Sequence, residues 1–170
     1  SDHGGPCPRH NRAIYETGTK VPFLVKFPVG KNEKVNKKQL LSFVDLAPTV
    51  LSIAGVKSPS EYQGFAFLGK NKSKIEREFL YTSSDRFDNV PDRIRAVRDS
   101  KFKYIRNYNQ ENSHALNVLY RKQMLLMRHL TSLHLTGQLD EKSDNWFKSP
   151  RLMEELYDLE NDPFELNNLS

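Results

Sequence analysis

Asp2 and His3 are the residues of this chain whose types and spacing first point to chemistry, because an acid and an imidazole stand side by side. Two glycines, Gly4 and Gly5, follow them directly. Successive side chains of a strand point to opposite faces, so both groups reach one ion only where the backbone turns, and glycine permits such a turn. A carboxylate oxygen and a ring nitrogen would supply half of a divalent-metal site. The alternative is a polar turn whose side chains only hold the loop.

Further stretches of the chain form, with this one, a set of four motifs in a fixed order. The first begins SDHG and continues to YETGTKVPF, the second is FVDLAPTVL, and the last includes ELYDLENDPFE. They occupy residues 1–23, residues 43–55, residues 93–108 and residues 155–169. In this order they resemble the sulfatases, the formylglycine-dependent members of the alkaline-phosphatase superfamily. The resemblance covers nearly the whole chain, and it implies a sulfuric ester hydrolase.

The resemblance also implies a cofactor and a nucleophile. Asp2 and His3 match the family's ligands to a divalent ion, usually calcium; since calcium prefers oxygen ligands, magnesium and manganese stay open on chemical grounds. The family's nucleophile is a formylglycine made from Cys or Ser in a Cys/Ser-x-Pro-x-Arg motif, which this sequence lacks because Cys7-Pro8-Arg9 has the wrong spacing. We therefore expect the C-terminal part of such an enzyme, with the formylglycine and the other metal ligands in a missing N-terminal part.

Substrate residues are predicted around Asn11 and at Arg86. The family places a sulfate-binding lysine four residues before the tyrosine of its Tyr-Glu-x-Gly motif, and here that position is Asn11. An amide brings no charge, so either His10 or Arg12 takes over the anion or the site differs from the usual pattern. Protonated His10 could also act as a catalytic acid toward the leaving oxygen. Arg86 is a candidate for contacting a carboxylate or a further sulfate of a glycan, with a plain surface role as the alternative.

The fold class that the motifs imply is α/β, as the C-terminal portion of an alkaline-phosphatase-like sulfatase fold with a small α+β subdomain. We expect residues 1–60 to end the large catalytic domain and residues 61–170 to form an antiparallel sheet with a long helix. The predicted elements are a buried strand at residues 21–27, two helical pieces within residues 39–54, a strand at residues 78–83, a hairpin of residues 93–97 and 102–108, a helix at residues 115–135 and a last strand at residues 155–159.

Composition limits the partners. The formal charge of +5 favours polyanions in general, but we expect a sulfated carbohydrate or an aryl sulfate and neither nucleic acid nor a membrane. No apolar run approaches the roughly eighteen residues of a membrane helix. The single cysteine excludes a disulfide within the chain. A periplasmic or secreted location is expected, although no signal peptide is visible.

Three hypotheses for function follow. The first is a sulfatase acting on a sulfated sugar or polysaccharide. The second is a phosphodiesterase or phosphonate monoesterase of the same superfamily, which Asn11 in place of lysine keeps open. The third is a non-catalytic module that binds polyanions.

The apolar side chains of segments 21–27 and 46–54 are also expected to be exposed, because each segment resembles one side of a larger core.

Overall fold

A computed structural model describes residues 3–5, 7–30 and 38–170. The chain divides into two compact units, one made of Ser1–Lys26 with Tyr81–Ser170 and the other of Phe27–Leu80. The predicted division of the enzyme at residue 60 stays a prediction. Within the described ranges, no helix is long and apolar enough to cross a membrane.

The first unit is built on a four-stranded antiparallel sheet with the strands in sequence order. Its strands are β1 (Leu80–Phe87), β2 (Val90–Arg98), β3 (Phe102–Asn107) and β4 (Glu154–Asp158). Alternate residues of β3 are buried, as expected for a strand with one covered face. The hairpin and the last strand are confirmed, and the strand predicted at residues 78–83 is present but extends to Phe87.

The core of this unit lies on the inner face of the sheet. Ile94, Ala96 and Ile105 pack there with Tyr157 and with residues from outside the sheet, Ile14, Tyr15 and Trp146. Ile14 and Tyr15 directly follow the predicted metal loop, so their packing in the core holds the end of that loop against the sheet. Only a short helix, α1 (Glu16–Thr19), follows them.

The long helix predicted at residues 115–135 is wrong. Two helices occupy this segment, α3 (Leu119–Gln123) and α4 (Leu125–Leu135), and Met124 between them has extended backbone. The Arg121 side chain donates to the carbonyls of His114 and Ala115, which holds the preceding residues out of a helix. The helical spacing of apolar residues continues across the break, so the pattern did not reveal it. A short helix, α5 (Glu141–Asp144), follows.

The buried strand predicted at residues 21–27 is also wrong, since the structure has no strand there and Leu24 is 95% exposed. A strand needs a neighbour for its backbone hydrogen bonds, and no described residue pairs with this segment through a ladder. The expectation that its apolar side chains are exposed is confirmed.

The second unit contains the predicted pair of helical pieces. A 3-10 turn at Phe43–Asp45 leads into α2 (Leu46–Ile53), with Pro48 in the first turn, where its missing N–H costs no hydrogen bond. Gly55, at φ +81°, follows the end of the helix. The buried Asp45 accepts from the Ser42 and Phe65 N–H groups and pairs with Arg77. On α2, Val50 and Ile53 are exposed, again as expected.

Gly18 is a position where the backbone packs too closely for a side chain. A Cβ there would lie 2.2 Å from the His10 carbonyl oxygen and 2.3 Å from that of Ala13. We expect Gly18→Ala to destabilise the chain by roughly 2–3 kcal/mol, because backbone atoms must move. Thermal unfolding should show a midpoint lower by roughly 5–10 °C.

Gly5→Ala is the matched control, since a Cβ at Gly5 meets nothing within 4 Å. Its midpoint should stay close to that of the wild type. Equal midpoints for Gly18→Ala and Gly5→Ala would contradict the close packing at Gly18.

Candidate functional site

The predicted metal loop, called here the site loop, comprises residues 3–5 and 7–12 and is a chain of tight turns. The Gly5 carbonyl accepts from the N–H groups of Cys7 and Asn11, and the Cys7 carbonyl accepts from that of His10. Arg9 and Arg12 have left-handed backbone, at φ 64° and 59°. The Gly4 N–H donates to the Gly18 carbonyl at 3.2 Å, which ties the start of the loop to the end of the Tyr-Glu-x-Gly motif.

His3 is exposed, and its Nδ1 lies 2.7 Å from the Gly4 carbonyl oxygen. A carbonyl oxygen only accepts, so Nδ1 donates in this contact; in a neutral imidazole with its proton on Nδ1, the nitrogen that binds metals is Nε2. Asp2 lies outside the described residues, so its prediction stays a prediction. In the ranges that the structure describes, no group of three or more His, Cys, Asp or Glu side chains could hold a metal ion.

Asn11 lies in a cleft between the site loop and the helices α3 and α4. The cleft is lined by Cys7, Pro8, Asn11, Phe87, Tyr120, Arg121, Met124 and Met127. His10 is half-buried and is not among these lining residues, and its ring makes no hydrogen bond or ion pair with any described group. The structure therefore places Asn11, and not His10, against the cleft.

Arg12 is held on the side of the β1–β2 turn. Its guanidinium pairs with Asp88 and lies 4.8 Å from the centre of the Phe87 ring. The Arg121 guanidinium lies 4.3 Å from the centre of the same ring, so Phe87 makes cation–π contacts with two arginines. Burial, and then the charge of Arg12, lower the pKa of Arg121 to about 10. Arg12 as a substitute for the usual lysine stays a prediction, and it would have to act beside Asp88.

Arg9 braces the loop. Its guanidinium lies 3.7 Å from the centre of the Tyr15 ring and donates to the Glu165 carbonyl at 2.7 Å. Thr17 in turn donates to the Arg9 carbonyl at 2.5 Å. Arg9 therefore joins the site loop both to the Tyr-Glu-x-Gly motif and to the closing motif of the chain.

Arg86 is an exposed residue of β1 and does not line the cleft at Asn11. The neighbouring acid Asp85 pairs with Arg95 at 2.7 Å. Among the described residues, Arg86 has no ion-pair partner. Its role toward a substrate stays a prediction.

Glu16 is the residue through which the site loop is fastened to the sheet. It belongs to a buried ion cluster of Glu16, Arg98, Lys103 and Glu165. Lys103 Nζ lies 3.3 Å from Glu16 Oε1 and 3.2 Å from Glu165 Oε1, and the Glu16 N–H donates to Glu165 at 2.7 Å. Two cations offset two carboxylates, which is the condition for burying such charges.

Tyr15 enters a second buried network, around Glu155. The hydroxyls of Tyr15 and Tyr157 donate to Glu155 Oε2 at 2.8 and 2.6 Å, and the Asn107 amide donates to Oε1 at 2.6 Å. His114 Nε2 lies 3.5 Å from Oε1. Burial alone would raise the pKa of Glu155. The hydrogen bond and the charge of His114 lower it, as do the hydrogen bonds from Tyr157 and Asn107, and the resulting pKa is about 2.

The pKa values of Glu165 and Tyr15 shift the opposite way. Burial raises the pKa of Glu165, against the pull of Lys103, and burial followed by the charge of Glu155 raises the pKa of Tyr15. Tyr15 therefore remains a neutral donor at any ordinary pH. The tyrosine and glutamate of the family motif therefore anchor the site loop.

Lys103, Glu155 and Glu165 were not predicted as supports of the site. The signal for Lys103 was available, because it alternates with Tyr104 along β3 and so shares the inner face with Ile105 and Asn107. A lysine on a core face needs a carboxylate partner. Its partners Glu16 and Glu165 lie far from it in sequence, so the sequence pattern does not predict which carboxylates pair with Lys103.

Comparisons with known proteins find sulfatases. Residues 9–130 match the family model described as N-sulphoglucosamine sulphohydrolase, C-terminal. The chain is 48% identical over 170 residues to an ulvan-active sulfatase of Formosa agariphila, a match that covers 99% of this chain and 28% of that protein. The chain thus spans less than a third of the length of that relative.

Two solved structures share the fold. One is a 2-O GAG sulfatase, with a TM-score of 0.58 and 23% identity over 94% of this chain and 27% of that one. The other protein was solved with its substrate, D-glucosamine-2-N,6-O-disulfate, and has a TM-score of 0.53 and 23% identity over 94% of this chain and 26% of its own. These likenesses confirm the predicted fold class.

The Glu155 network makes stability depend on pH in a defined window. Since the folded-state pKa of about 2 lies below the ordinary value of 4.5, the ionised carboxylate stabilises the fold above pH 4.5 and loses that effect as the pH falls toward 2. The contribution is on the order of 3 kcal/mol. Glu155→Gln should therefore unfold at a lower temperature than the wild type at pH 6, with a gap that narrows between pH 4.5 and pH 2.5.

Glu160→Gln is the control, because Glu160 is an exposed acid next to the same strand. Its unfolding midpoint should follow the wild type at every pH. A gap between Glu155→Gln and the wild type that stays constant from pH 6 to pH 2.5 would show that Glu155 does not titrate in this window.

Proposed function

The chain belongs to the family of N-sulphoglucosamine sulphohydrolase C-terminal domains, and on this premise we propose that it is the C-terminal part of a sulfatase acting on a sulfated polysaccharide. The observation that supports this most is the fastening of the site loop to the sheet through Tyr15 and Glu16. It gives the segment that matches the family's metal loop a rigid support. The relative active on ulvan favours a polysaccharide over an aryl sulfate as the substrate.

We propose that Asp2 and His3 contribute to a divalent-metal site. The proton of His3 on Nδ1 fits this role, because the nitrogen that would bind the ion is Nε2. A bound divalent ion would hold sulfate oxygens in place and offset the charge that develops on them. Calcium is the proposed ion, and magnesium or manganese would suit the same pair. The remaining ligands and the formylglycine nucleophile are assigned to the N-terminal part of the enzyme.

Asn11 is the proposed sulfate contact of this chain, since it lies in the cleft at the position of the family's lysine. An amide donates a hydrogen bond without charge, so it orients a sulfate oxygen more weakly than a lysine would. His10 is the proposed donor to the leaving oxygen, because its ring has no other partner among the described groups. Arg86 is proposed to contact an outlying acidic group of the glycan.

The two other hypotheses are less well supported. A phosphodiesterase or phosphonate monoesterase would share the metal loop, but the relatives reported above are named as sulfatases. A purely non-catalytic module would have no need for a rigidly anchored loop that presents His3 and Asn11. A periplasmic or secreted location is proposed because a polysaccharide substrate lies outside the cell.

Removing the proposed metal ligands should abolish turnover. In the full-length enzyme we expect Asp2→Ala combined with His3→Ala to lower kcat for 4-nitrophenyl sulfate by at least about a thousandfold, because charge neutralisation at the sulfate is lost. Thermal unfolding should change little, since His3 is exposed. His129→Ala, a change at an exposed histidine of α4, is the control and should keep wild-type activity. Near-normal turnover by the double variant would refute the metal assignment.

Restoring the family's charge at Asn11 should strengthen sulfate binding. We expect Asn11→Lys in the full-length enzyme to lower KM for the sulfate ester about tenfold, because a charge-assisted hydrogen bond is roughly twice as strong as a neutral one. Asn117→Lys adds the same charge at an exposed position and should leave KM unchanged. Equal KM values for Asn11→Lys and the wild type would show that Asn11 does not face the sulfate.

A further inference from the structure

The outer face of the sheet, opposite the core, presents an arrangement that the candidate site does not use. It is called here the arginine face and consists of Arg93 and Arg95 of β2 with Arg106 and Tyr108 on and just after β3. Arg95 and Arg106 stand directly opposite each other in the ladder. The next pair along is held by the Tyr108 N–H, which donates to the Arg93 carbonyl at 2.9 Å.

Tyr108 brings two of the guanidiniums together. The Arg93 guanidinium lies 4.7 Å from the centre of the Tyr108 ring, and that of Arg106 lies 5.4 Å from it. Both distances are within the range of cation–π contacts. The planar, fork-shaped donors of both arginines are thereby gathered around one ring, although their charges repel each other.

Carboxylates offset this face only in part. Asp85 pairs with Arg95 at 2.7 Å, and Glu154 lies 3.7 Å from Arg106. All four of these side chains are 41–62% exposed, so the pairs contribute little and exchange easily for another anion. Arg93 is exposed and has no carboxylate partner among the described residues.

Arg98 on the same strand shows what a structural arginine looks like in this fold. It turns inward to Glu16 and is mostly buried in the ion cluster. Arg93, Arg95 and Arg106 support no such buried network. Like charges placed directly opposite on a sheet are destabilising, so packing alone does not account for the Arg95–Arg106 pair.

We propose that the arginine face binds a sulfated polysaccharide chain, as a second site outside the cleft at Asn11. Arginine forks match the oxygens of sulfate groups, and several arginines in one patch match a chain that bears many sulfates. A single-stranded nucleic acid is disfavoured, because its binding uses open aromatic faces for base stacking and the Tyr108 ring already bears two guanidiniums. Only the choice of a sulfated glycan rests on the proposed function.

The test measures the Kd of this chain for dextran sulfate, by affinity electrophoresis or calorimetry, over a series of salt concentrations. We expect Arg93→Gln with Arg106→Gln to weaken binding about tenfold or more and to flatten the dependence on salt, since two ionic contacts are lost. The matched control is Lys72→Gln with Lys74→Gln, which removes the same charge from two other exposed residues. It should change Kd less than about twofold.

Equal weakening by the two double variants would overturn the proposal, because binding would then follow net charge alone. The proposal would also be overturned if single-stranded DNA bound as tightly as dextran sulfate and the arginine double variant lost that binding. If the arginine double variant unfolds, Arg93→Gln alone decides the question, since Arg93 has no described carboxylate partner to leave unpaired; an unchanged Kd for it would again overturn the proposal.

Binding at this face is separable from turnover. The full-length enzyme with Asp2→Ala and His3→Ala should retain wild-type affinity for dextran sulfate. In an otherwise wild-type full-length enzyme, the arginine double variant should keep the wild-type kcat on 4-nitrophenyl sulfate. This substrate is too small to occupy the active site and the arginine face at the same time. Failure of the metal assignment would therefore leave the arginine face untouched, and failure of the arginine face would leave the metal assignment untouched.

Discussion

Lys103 stands between two carboxylates in the interior, and the position of the site loop depends on that contact. Its side chain is 1% exposed, and those of Glu16 and Glu165 are 7% and 0% exposed. Removing one partner of such a buried set leaves an uncompensated charge and costs roughly 3–5 kcal/mol. Because Glu16 directly follows Tyr15, the same contact also fixes the ring on which Arg9 lies, and through Arg9 the turns of the loop.

The molecule therefore separates support from chemistry. The supporting groups are buried and paired with one another, as in the ion cluster and around Glu155. The groups proposed to meet a substrate, among them His3 and Asn11, are exposed or half-buried on the loop in front of them. Reactive side chains work best when the residues behind them are held by packing and hydrogen bonds, and the Tyr-Glu-x-Gly motif provides that hold.

Local patterns predicted the elements whose causes are local. Alternation in residues 93–108 identified the hairpin, and the spacing of apolar residues identified two helical pieces within residues 39–54. The break at Met124 was missed because the apolar spacing runs through it. The loop residues of the site were predicted from the family motif, whereas the buried charges beneath them depend on partners far apart in sequence.

The hydrogen bond from the Glu16 N–H to Glu165 joins residues 149 positions apart. At ribosomal rates of about 5–20 residues per second, Glu16 leaves the synthesis site roughly 7–30 s before its partner exists. Closing so long a loop comes late in folding, after the local hairpins have formed. During that interval β1, β2 and β3 are already synthesised but Glu165 is not, so the site loop acquires its last hydrogen bond to the rest of the unit only when β4 and the closing motif dock.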